Sequence, residues 1–471
     1  MTKDNINFIL NNELVSVQNI ETNTTVLNYL RNDKKLTGTK EGCASGDCGA
    51  CTAVIGEIKN NKIQYKSINT CITFLYSLNA KHLITVERLE KQNLHPVQNS
   101  MIDKDGSQCG FCTPGIIMSM YGMYVNNVKP TNHNIDKFLS GNLCRCTGYL
   151  PIKKSIKDMY KYKKNIIETK KIFNQLKKIK KNDILISKNK SKFFIHYKLK
   201  SLLKDLNKTS DYYLLTGGTD LSLEVTKKRK NLNNIFYLGS NEELKYIRVK
   251  NNNIHIGAAT TINEIIPVLE KYYPTFAKMF ERYGSEQIRN TASLGGNIGS
   301  ASPIGDSLPV LMSLNSKIIT IGKIKKIIYF DDFFIDYRKT KLAKNELIKE
   351  IIIPIYKKNT LKCYKISKRI DDDISSIFMS INARVENNTI KFIKIVSGGM
   401  ASTPKIAKLT QDYLINKEFT FNKIEKAKKI IKKDFNPLDD VRASKEYRTK
   451  ISQNLLERFF NEENNIKSSV Y

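Results

Sequence analysis

The 471-residue sequence has no stretch near the ~18 consecutive apolar residues that a membrane helix requires, so we expect no membrane span. The first residues also lack the charged-then-apolar arrangement of a secretion signal, and we therefore expect a cytoplasmic protein. Acidic residues are scarce, 45 against 78 Lys and Arg, which gives a formal net charge of +33. Because the lysines are spread along the chain, we interpret this charge as solvated surface and expect neither nucleic acid nor a membrane as a partner.

Several well-known functional motifs are also missing. No G-x-G-x-x-G, P-loop or H-E-x-x-H pattern occurs, which excludes the common dinucleotide, nucleotide and zinc-protease signatures. The five histidines do not cluster at metal-ligand spacing, and we expect surface or strand positions for His82, His95, His133, His196 and His255. The length suggests about three domains. The 41% hydrophobic content and 23 glycines are enough for a sizeable core.

The first part of the chain has the pattern of a small α+β domain. Alternating residues predict a hairpin of strands 7–10 and 14–17, with the Asn11-Asn12 pair at its turn. A short helix is predicted over 25–31, and a loop rich in Gly and Cys follows it. Mixed short strands with one helix indicate an α+β arrangement.

A helical domain is predicted next, with helices over 115–125 and 135–139. Pro114 and Pro151 lie where the first turn of a helix tolerates proline. The lysine-rich stretch 161–190 is interpreted as a partly helical, solvated linker. The chain then returns to α/β character, with predicted strands at 212–215, 254–256 and 350–354 and amphipathic helices at 424–431 and 445–460.

Eight of the nine cysteines lie between Cys43 and Cys146, which favours metal thiolates over disulfides in a cytosolic chain. The first group reads C-x4-C-x2-C from Cys43 to Cys51, and Cys71 follows after nineteen residues. This is the plant-type [2Fe–2S] spacing. Glycines in the loop let the backbone wrap closely around a cluster. The alternative is a structural zinc site, which prefers CxxC pairs at both ends.

The second group has a CxxC pair, Cys109 and Cys112, and a CxC pair, Cys144 and Cys146. The spacing alone leaves both a [2Fe–2S] cluster and zinc open. The nearby first group favours iron–sulfur, because two redox centres in series make an electron path. Cys363 stands apart from both groups and is expected to be a small buried residue just before a strand.

Three Gly-Gly turns follow strand-like runs in residues 193–400, at Gly217-Gly218, Gly295-Gly296 and Gly398-Gly399. Such pairs let backbone amides approach a pyrophosphate. Taken alone, they are weak evidence for a cofactor and fit ordinary β-turns better.

Three longer runs carry a family resemblance: GCASGDCGAC at 42–51, QCGFCTPG at 108–115 and GNLCRCTGY at 141–149. They resemble the iron–sulfur signatures of the xanthine dehydrogenase/aldehyde oxidase family of molybdenum hydroxylases. The resemblance implies a multidomain α+β fold with a two-lobed α/β FAD-binding domain like that of vanillyl-alcohol oxidase. The implied domains are a β-grasp [2Fe–2S] ferredoxin domain at 1–78, a helical-bundle [2Fe–2S] domain at 79–160, the basic linker at 161–190, the FAD-binding domain at 191–346 and a C-terminal flavoprotein domain at 347–471.

The same resemblance implies the ligands of two [2Fe–2S] clusters, namely Cys43, Cys48, Cys51, Cys71, Cys109, Cys112, Cys144 and Cys146. It implies that FAD is held by three runs, 214–221, 287–298 and 301–306, and by single contacts further along. The implied FAD residues are Leu214, Leu215, Thr216, Gly217, Gly218, Thr219, Asp220, Leu221, Tyr283, Ser293, Leu294, Gly295, Gly296, Asn297, Asp306, Ile348 and Lys365. Gln108 is implied to face the pterin of a partner's cofactor.

The family's molybdenum-cofactor portion has no counterpart in this sequence. The resemblance therefore implies the iron–sulfur/FAD subunit of a split, bacterial-type enzyme, paired with a molybdenum-cofactor large subunit as a heterotetramer. Electrons from hypoxanthine or xanthine would pass through the clusters to FAD and then to NAD⁺. The alternatives are a family member acting on an aldehyde, nicotinate or an aromatic acyl-CoA, and a zinc-bearing nucleic-acid-binding protein.

The 371–373 aspartates are either a solvated loop or a gate for a dinucleotide.

Overall fold

The computed structural model describes residues 4–89, 93–163 and 169–468. The chain forms two compact units, one made of Met1–Glu243 with Gly284–Ala292, and the other of Leu244–Tyr283 with Ser293–Tyr471. Both units mix helices with sheets, which confirms the predicted multidomain α+β class. Among the described residues, the helices are all too short or too polar to cross a membrane.

The first unit begins with a five-stranded sheet in the order β2-β1-β5-β3-β4. Its elements are β1 (Ile6–Leu10), β2 (Glu13–Val17), α1 (Val26–Asn28), β3 (Thr52–Lys59), β4 (Lys62–Asn69) and β5 (His82–Ile84). β1 runs parallel to β5, while β1–β2, β3–β4 and β3–β5 are antiparallel. This is the predicted β-grasp arrangement.

Local sequence explains the β1–β2 hairpin and the helix α1 that follows it. The hairpin is confirmed, because Asn11 adopts the left-handed backbone (φ 58°) that a tight turn needs. The predicted helix begins one residue late, because the Thr25 side chain caps it by accepting from the Asn28 amide. It continues as a π-helical turn, Tyr29–Asp33, so it ends two residues beyond the prediction.

Four helices follow: α2 (Pro96–Asp103), α3 (Thr113–Val125), α4 (Asn132–Leu139) and α5 (Leu150–Asp158). Pro114 and Pro151 lie in first turns, as predicted. The 135–139 helix starts earlier than predicted because Thr131 caps it at the Asn134 amide. α3 is buried along most of its length and forms the centre of this bundle.

The last part of the first unit contains α6 (Thr169–Lys178), β6 (Ile184–Lys188), β7 (Ser191–Ile195), α7 (Leu199–Leu206), β8 (Tyr213–Leu215), α8 (Ser222–Thr226) and β9 (Asn234–Tyr237). Its sheet order is β6-β7-β9-β8. Much of the predicted linker is therefore folded structure. α6 buries Ile172, and β6 pairs with β7 because Ile184 and Ile186 alternate onto a buried face. Residues 164–168 of that linker lie outside the described residues.

The next stretch of chain holds β10 (Ile247–Lys250), β11 (Asn253–Gly257), α9 (Ile262–Tyr272), α10 (Pro274–Glu281), α11 (Glu286–Arg289), α12 (Leu294–Ser300), α13 (Ser307–Ser313), β12 (Lys317–Ile321), β13 (Lys325–Tyr329), β14 (Phe334–Asp336), β15 (Lys339–Thr340) and β16 (Leu347–Pro354). α11 belongs to the first unit. The sheet β10-β11-β16-β12-β13 is antiparallel, and β14 and β15 form a separate pair.

The final elements are β17 (Thr360–Ile366), β18 (Ile377–Glu386), β19 (Thr389–Gly398), β20 (Lys405–Ile406), α14 (Lys408–Leu414), α15 (Phe421–Asp434) and α16 (Lys445–Glu463). They form one antiparallel sheet with a core shared by the three helices. The predicted C-terminal domain began at residue 347, but β16 lies in the preceding sheet. It pairs there with β11 and β12, and its Ile351 and Ile353 are buried.

Candidate functional site

The first cysteine group lies on a loop of the β-grasp domain. Cys51 immediately precedes β3 and Cys71 follows β4. β3 and β4 pair with Thr52 opposite Asn69, and this register brings the Cys51 and Cys71 sulfurs to 3.3 Å. Two thiolates on one tetrahedral metal at about 2.3 Å lie about 3.8 Å apart, so this spacing suits a shared metal ion.

Backbone amides converge on the sulfur of Cys43. The N–H groups of Ser45, Asp47 and Cys48 lie 3.4, 3.3 and 3.4 Å from it. Hydrogen bonds from Cys48 and then Cys71 lower the pKa of Cys43, and the bond to Cys43 raises the pKa of Cys48. A thiolate held by several amides is the form that binds iron.

The second group sits between helices of the bundle. Cys109 and Cys112 precede α3, and Cys144 and Cys146 precede α5. A hydrogen bond joins Cys109 to Cys146 and raises the pKa of Cys146. Burial, and then the hydrogen bond to Cys144, raises the pKa of Cys112 to about 12. The structure thus brings all four predicted cysteines together in two hydrogen-bonded pairs. Cys109 and Cys146 are exposed.

Each of the two groups of four thiols fits one two-iron cluster. A [2Fe–2S] cluster of this kind would be held by four cysteine thiolates, and each group supplies four. In the first group, Cys43 bonds to both Cys48 and Cys71, and Cys51 bonds to Cys71. In the second group, Cys109 bonds to Cys146 and Cys112 to Cys144. In the part of the chain that the structure describes, no three His, Cys, Asp or Glu side chains form a group that holds a single metal ion.

The two cysteine loops touch each other. The Leu143 amide donates to the Cys48 carbonyl at 3.0 Å, and the Asn142 side chain donates to the Gly49 carbonyl at 3.2 Å. A Cβ on Gly115 of α3 would lie 2.2 Å from the Gly49 oxygen, so only glycine permits this approach. The sequence analysis did not predict this contact. Gly115, three residues after Cys112, was the feature of the sequence that could have indicated it.

The predicted FAD residues divide between the two units. Leu214 and Leu215 lie in β8, and the run from Thr216 to Leu221 joins it to α8. Gly218 has a φ of +76°, and a Cβ there would lie 2.5 Å from the Ser222 Oγ. Ser222 in turn donates to the Ile72 carbonyl at 2.7 Å. The glycine loop therefore packs on the residue next to Cys71, a contact that the sequence did not predict.

The second predicted cradle, 293–297, begins α12. The Ser293 side chain caps this helix by accepting from the Gly296 amide at 3.1 Å, and Leu294 is buried in the core. A Cβ on Gly295 would clash with Ala258, at 2.5 Å from its Cβ. Asn297 donates to the Tyr283 hydroxyl at 2.8 Å, so the structure brings these two predicted residues together.

Asp306 and Lys365 form a buried ion pair of 2.7 Å, with side chains only 5% and 4% exposed. Ser375 donates to the other Asp306 oxygen at 2.6 Å, and Lys365 also donates to the Arg282 carbonyl at 3.1 Å. The sequence analysis predicted both residues at the flavin but missed their pairing. Ile348 is buried in β16.

Other predicted residues have simpler positions. Gln108 is exposed beside Cys109. Cys363 lies within β17 rather than before a strand, and the residue is only partly buried instead of fully buried as expected. Burial of its thiol raises the pKa of Cys363 to about 12. The 371–373 run is a loop in which Asp373 accepts from the Arg369 amide at 2.8 Å. Burial raises the pKa of Asp373, but this bond and the Ile374 amide more than offset it and lower the pKa.

Two histidines contradict the expectation of surface or strand positions. His95 is buried because it caps α2 by accepting from the Val97 amide. His196 is buried between two carboxylates, each 3.3 Å away, from Asp183 and Asp205. His82 and His255 lie in strands and His133 is exposed, as expected.

Family models match nearly the whole chain in four consecutive segments. They are a 2Fe-2S iron-sulfur cluster binding domain at residues 8–76, a [2Fe-2S] binding domain at 85–157, an FAD binding domain in molybdopterin dehydrogenase at 189–356, and a CO dehydrogenase flavoprotein C-terminal domain at 362–463. The chain belongs to the molybdenum hydroxylase family. It carries that family's two 2Fe–2S domains and its FAD-binding domain.

Relatives of this molybdenum hydroxylase chain include the xanthine dehydrogenase of Emericella nidulans, 31% identical over 88% of this chain and 35% of the relative. The xanthine dehydrogenase/oxidase of Mus musculus is 30% identical over 85% of this chain and 34% of the relative. The chain thus spans about a third of the length of these relatives.

Solved structures share the fold. A carbon monoxide dehydrogenase from Hydrogenophaga pseudoflava aligns with a TM-score of 0.54 and 22% identity, over 56% of this chain and 94% of that chain. Quinoline 2-oxidoreductase from Pseudomonas putida 86 aligns with a TM-score of 0.53 and 18% identity, over 57% and 94%.

Proposed function

We propose that this chain is the electron-transfer subunit of a xanthine dehydrogenase. In the overall reaction, hypoxanthine or xanthine, water and NAD⁺ give the hydroxylated purine, NADH and a proton. The purine would be oxidised on a large partner subunit that holds the molybdenum cofactor, and this chain would form a heterotetramer with that subunit. The clusters supply one-electron transfer and the flavin supplies two-electron exchange with nicotinamide.

The observation that carries the proposal is the pair of contacts that joins the predicted sites. The Leu143 amide connects the two cysteine loops through Cys48, and Ser222 connects the glycine loop to Ile72, beside Cys71. These residues hold the second cysteine group, the first cysteine group and the glycine loop in one continuous series. The exposed Cys109 and Cys146 lie at its outer end, where a partner's electrons would enter.

The chain's own residues have defined tasks in this proposal. The eight cysteines would hold the clusters, and the amides on the Cys43 sulfur would stabilise its thiolate. The loop from Leu214 to Leu221 would line the FAD diphosphate, with Gly218 leaving space for close backbone approach. Thiolate ligands require a reducing compartment, which supports a cytoplasmic location.

Another molybdenum hydroxylase, acting on an aldehyde, nicotinate or an aromatic acyl-CoA, is the second candidate, because the solved structures with this fold include enzymes with other names. The xanthine dehydrogenase relatives support the purine substrate, since they match 85% or more of this chain. A zinc-bearing nucleic-acid-binding protein lacks support, because the matching family models are iron–sulfur domains.

The test compares the chain alone with the chain reconstituted with a molybdenum subunit. The chain alone should oxidise NADH with an artificial acceptor and should not hydroxylate xanthine, whereas the complex should reduce NAD⁺ with xanthine. Gln108→Ala should slow only the xanthine reaction. Xanthine turnover by the chain alone would contradict the proposal, and turnover of a different substrate by the complex would favour the second candidate.

A further inference from the structure

Gln287 is fully buried in the first unit, on α11. The sequence pattern grouped it with the FAD residues, but its side chain points into the iron–sulfur domains. Its Nε2 lies 3.0 Å from the Asn142 Oδ1, 3.1 Å from the Ser119 Oγ and 3.3 Å from the Thr52 Oγ1. The two N–H donors of one amide group are therefore shared among three buried oxygens.

Each of these three partners is attached to a cysteine loop. Thr52 directly follows Cys51, Asn142 lies two residues before Cys144, and Ser119 is on α3, which begins directly after Cys112. The Ser119 hydroxyl also donates to Asn142 at 2.6 Å. Asn142 donates in turn to the Gly49 carbonyl and the Thr52 hydroxyl. The network thus spans both predicted cluster sites.

The neighbours of Gln287 on the same short helix contact the same region. Asn290 donates to the Ser67 carbonyl of β4 at 3.0 Å. Ile288 packs against the buried cluster that contains Cys51 and Cys71. A Cβ on Gly141 would lie 2.4 Å from the Gln287 Oε1, so only glycine at this position of the second cysteine loop leaves room for the side chain.

We propose that Gln287 is a positioning residue that sets the relative position of the two iron–sulfur clusters. Its donors hold Thr52 of the first loop and Asn142 of the second in one buried network, which keeps the Leu143–Cys48 hydrogen bond in place. This geometry would govern the transfer of one electron from a reduced cluster to an oxidised one, a step in which no bond or proton changes. The inference rests on the proposed function.

The test uses Gln287→Leu, which keeps a similar volume and removes both N–H donors. The purified full chain is reduced with dithionite, frozen and measured by electron paramagnetic resonance. Two reduced clusters on touching loops interact magnetically, and this dipolar splitting depends steeply on their separation. We expect the variant to retain wild-type iron, sulfide and FAD contents but to lose the resolved splitting. Ser119→Ala removes one of the three partners and should weaken the splitting less than Gln287→Leu does. If Gln287→Leu does not fold, the splitting of Ser119→Ala tests the proposal instead.

Asn382→Leu is the matched control. Asn382 is also a fully buried amide, but it lies in the second unit and donates to the Ser313 carbonyl at 2.9 Å. The splitting should be unchanged in this control. Unchanged splitting in Gln287→Leu and Ser119→Ala, or an equal loss in Asn382→Leu, would overturn the positioning role while leaving the proposed function standing. A wild-type chain with zinc and no sulfide would overturn both.

Discussion

The backbone N–H of Leu143 donates a 3.0 Å hydrogen bond to the carbonyl oxygen of Cys48. Leu143 directly precedes Cys144, so a single hydrogen bond links a residue of the first cysteine group to the neighbour of a residue in the second. Buried contacts around it, from Gly115 to Gly49 and from Gln287 to Asn142, leave the two loops little freedom. This contact places the two cysteine groups side by side within the first unit.

The cysteine assignment predicts about four irons and equivalent sulfide per chain. Cys48→Ala should remove the spectral signal of one cluster and leave the other, since Cys48 belongs to one group only. Metal analysis and electron paramagnetic resonance of the reduced variant measure this. Cys363→Ala is the control and should retain both signals, because that thiol lies in β17 away from either group. Zinc in place of iron would refute the assignment.

Gly218→Val should abolish FAD binding while the iron content stays at the wild-type level. A side chain there is strained by the φ of +76° and would lie 2.8 Å from the Ile72 carbonyl. Ile72 is tightly buried, so we expect the glycine loop to move instead of the cysteine loop. Flavin released on denaturation gives the measurement.

The matched control for this substitution is Gly399→Val. Gly399 has a similar φ of +75° and a Cβ there would lie 3.1 Å from the Ser376 carbonyl, but it belongs to a Gly-Gly turn outside the predicted cradle. It should lower stability and retain flavin. Stoichiometric flavin in Gly218→Val would show that the diphosphate binds elsewhere.

Lys365→Met should lower the free energy of unfolding by about 3–5 kcal/mol, because it leaves the buried Asp306 carboxylate without its cation. Replacing both partners, as Lys365→Met with Asp306→Leu, should restore most of this stability, since an apolar pair carries no desolvation cost. Thermal unfolding measures both effects. If the pair also contacts the flavin, as predicted, the double variant stays poor in FAD. A stable double variant with full FAD content would limit the pair to a structural role.

The β-grasp domain should lose stability in mild acid because of His82. Burial lowers the pKa of this histidine from 6.5 to about 4, and its Nε2 lies 2.7 Å from the Asn11 carbonyl. The unfolded chain therefore binds a proton that the folded one does not, and up to about 3 kcal/mol of stability present above pH 6.5 is lost as the pH falls toward 4.

Amide hydrogen exchange of β1 and β5 measures this pH effect. His82→Gln should reduce the difference in protection between pH 7 and pH 5. His133→Gln, which changes an exposed histidine, should not alter it. An unchanged pH profile in His82→Gln would exclude this residue as the source.

Several features of the fold follow from local sequence patterns. Alternating residues and the Asn11-Asn12 pair predicted the first hairpin, and Pro114 and Pro151 lie in first turns of helices as expected. The C-x4-C-x2-C spacing predicted the first cysteine group in the same way, because a short loop can wrap a cluster only if its ligands are close in the chain. These are interactions between residues few positions apart, and propensity and spacing report them directly.

Sequence by itself therefore determined the order of the domains, the cysteine groups and the glycine turns of this protein. Tertiary structure decided which of these elements meet. Gln287 bonds to Thr52 across 235 positions, Ser222 bonds to Ile72 across 150, and β16 joins the sheet of β11 instead of the C-terminal sheet. No local pattern encodes such contacts, because a buried donor is paired by whichever acceptor the packing of distant elements brings within reach.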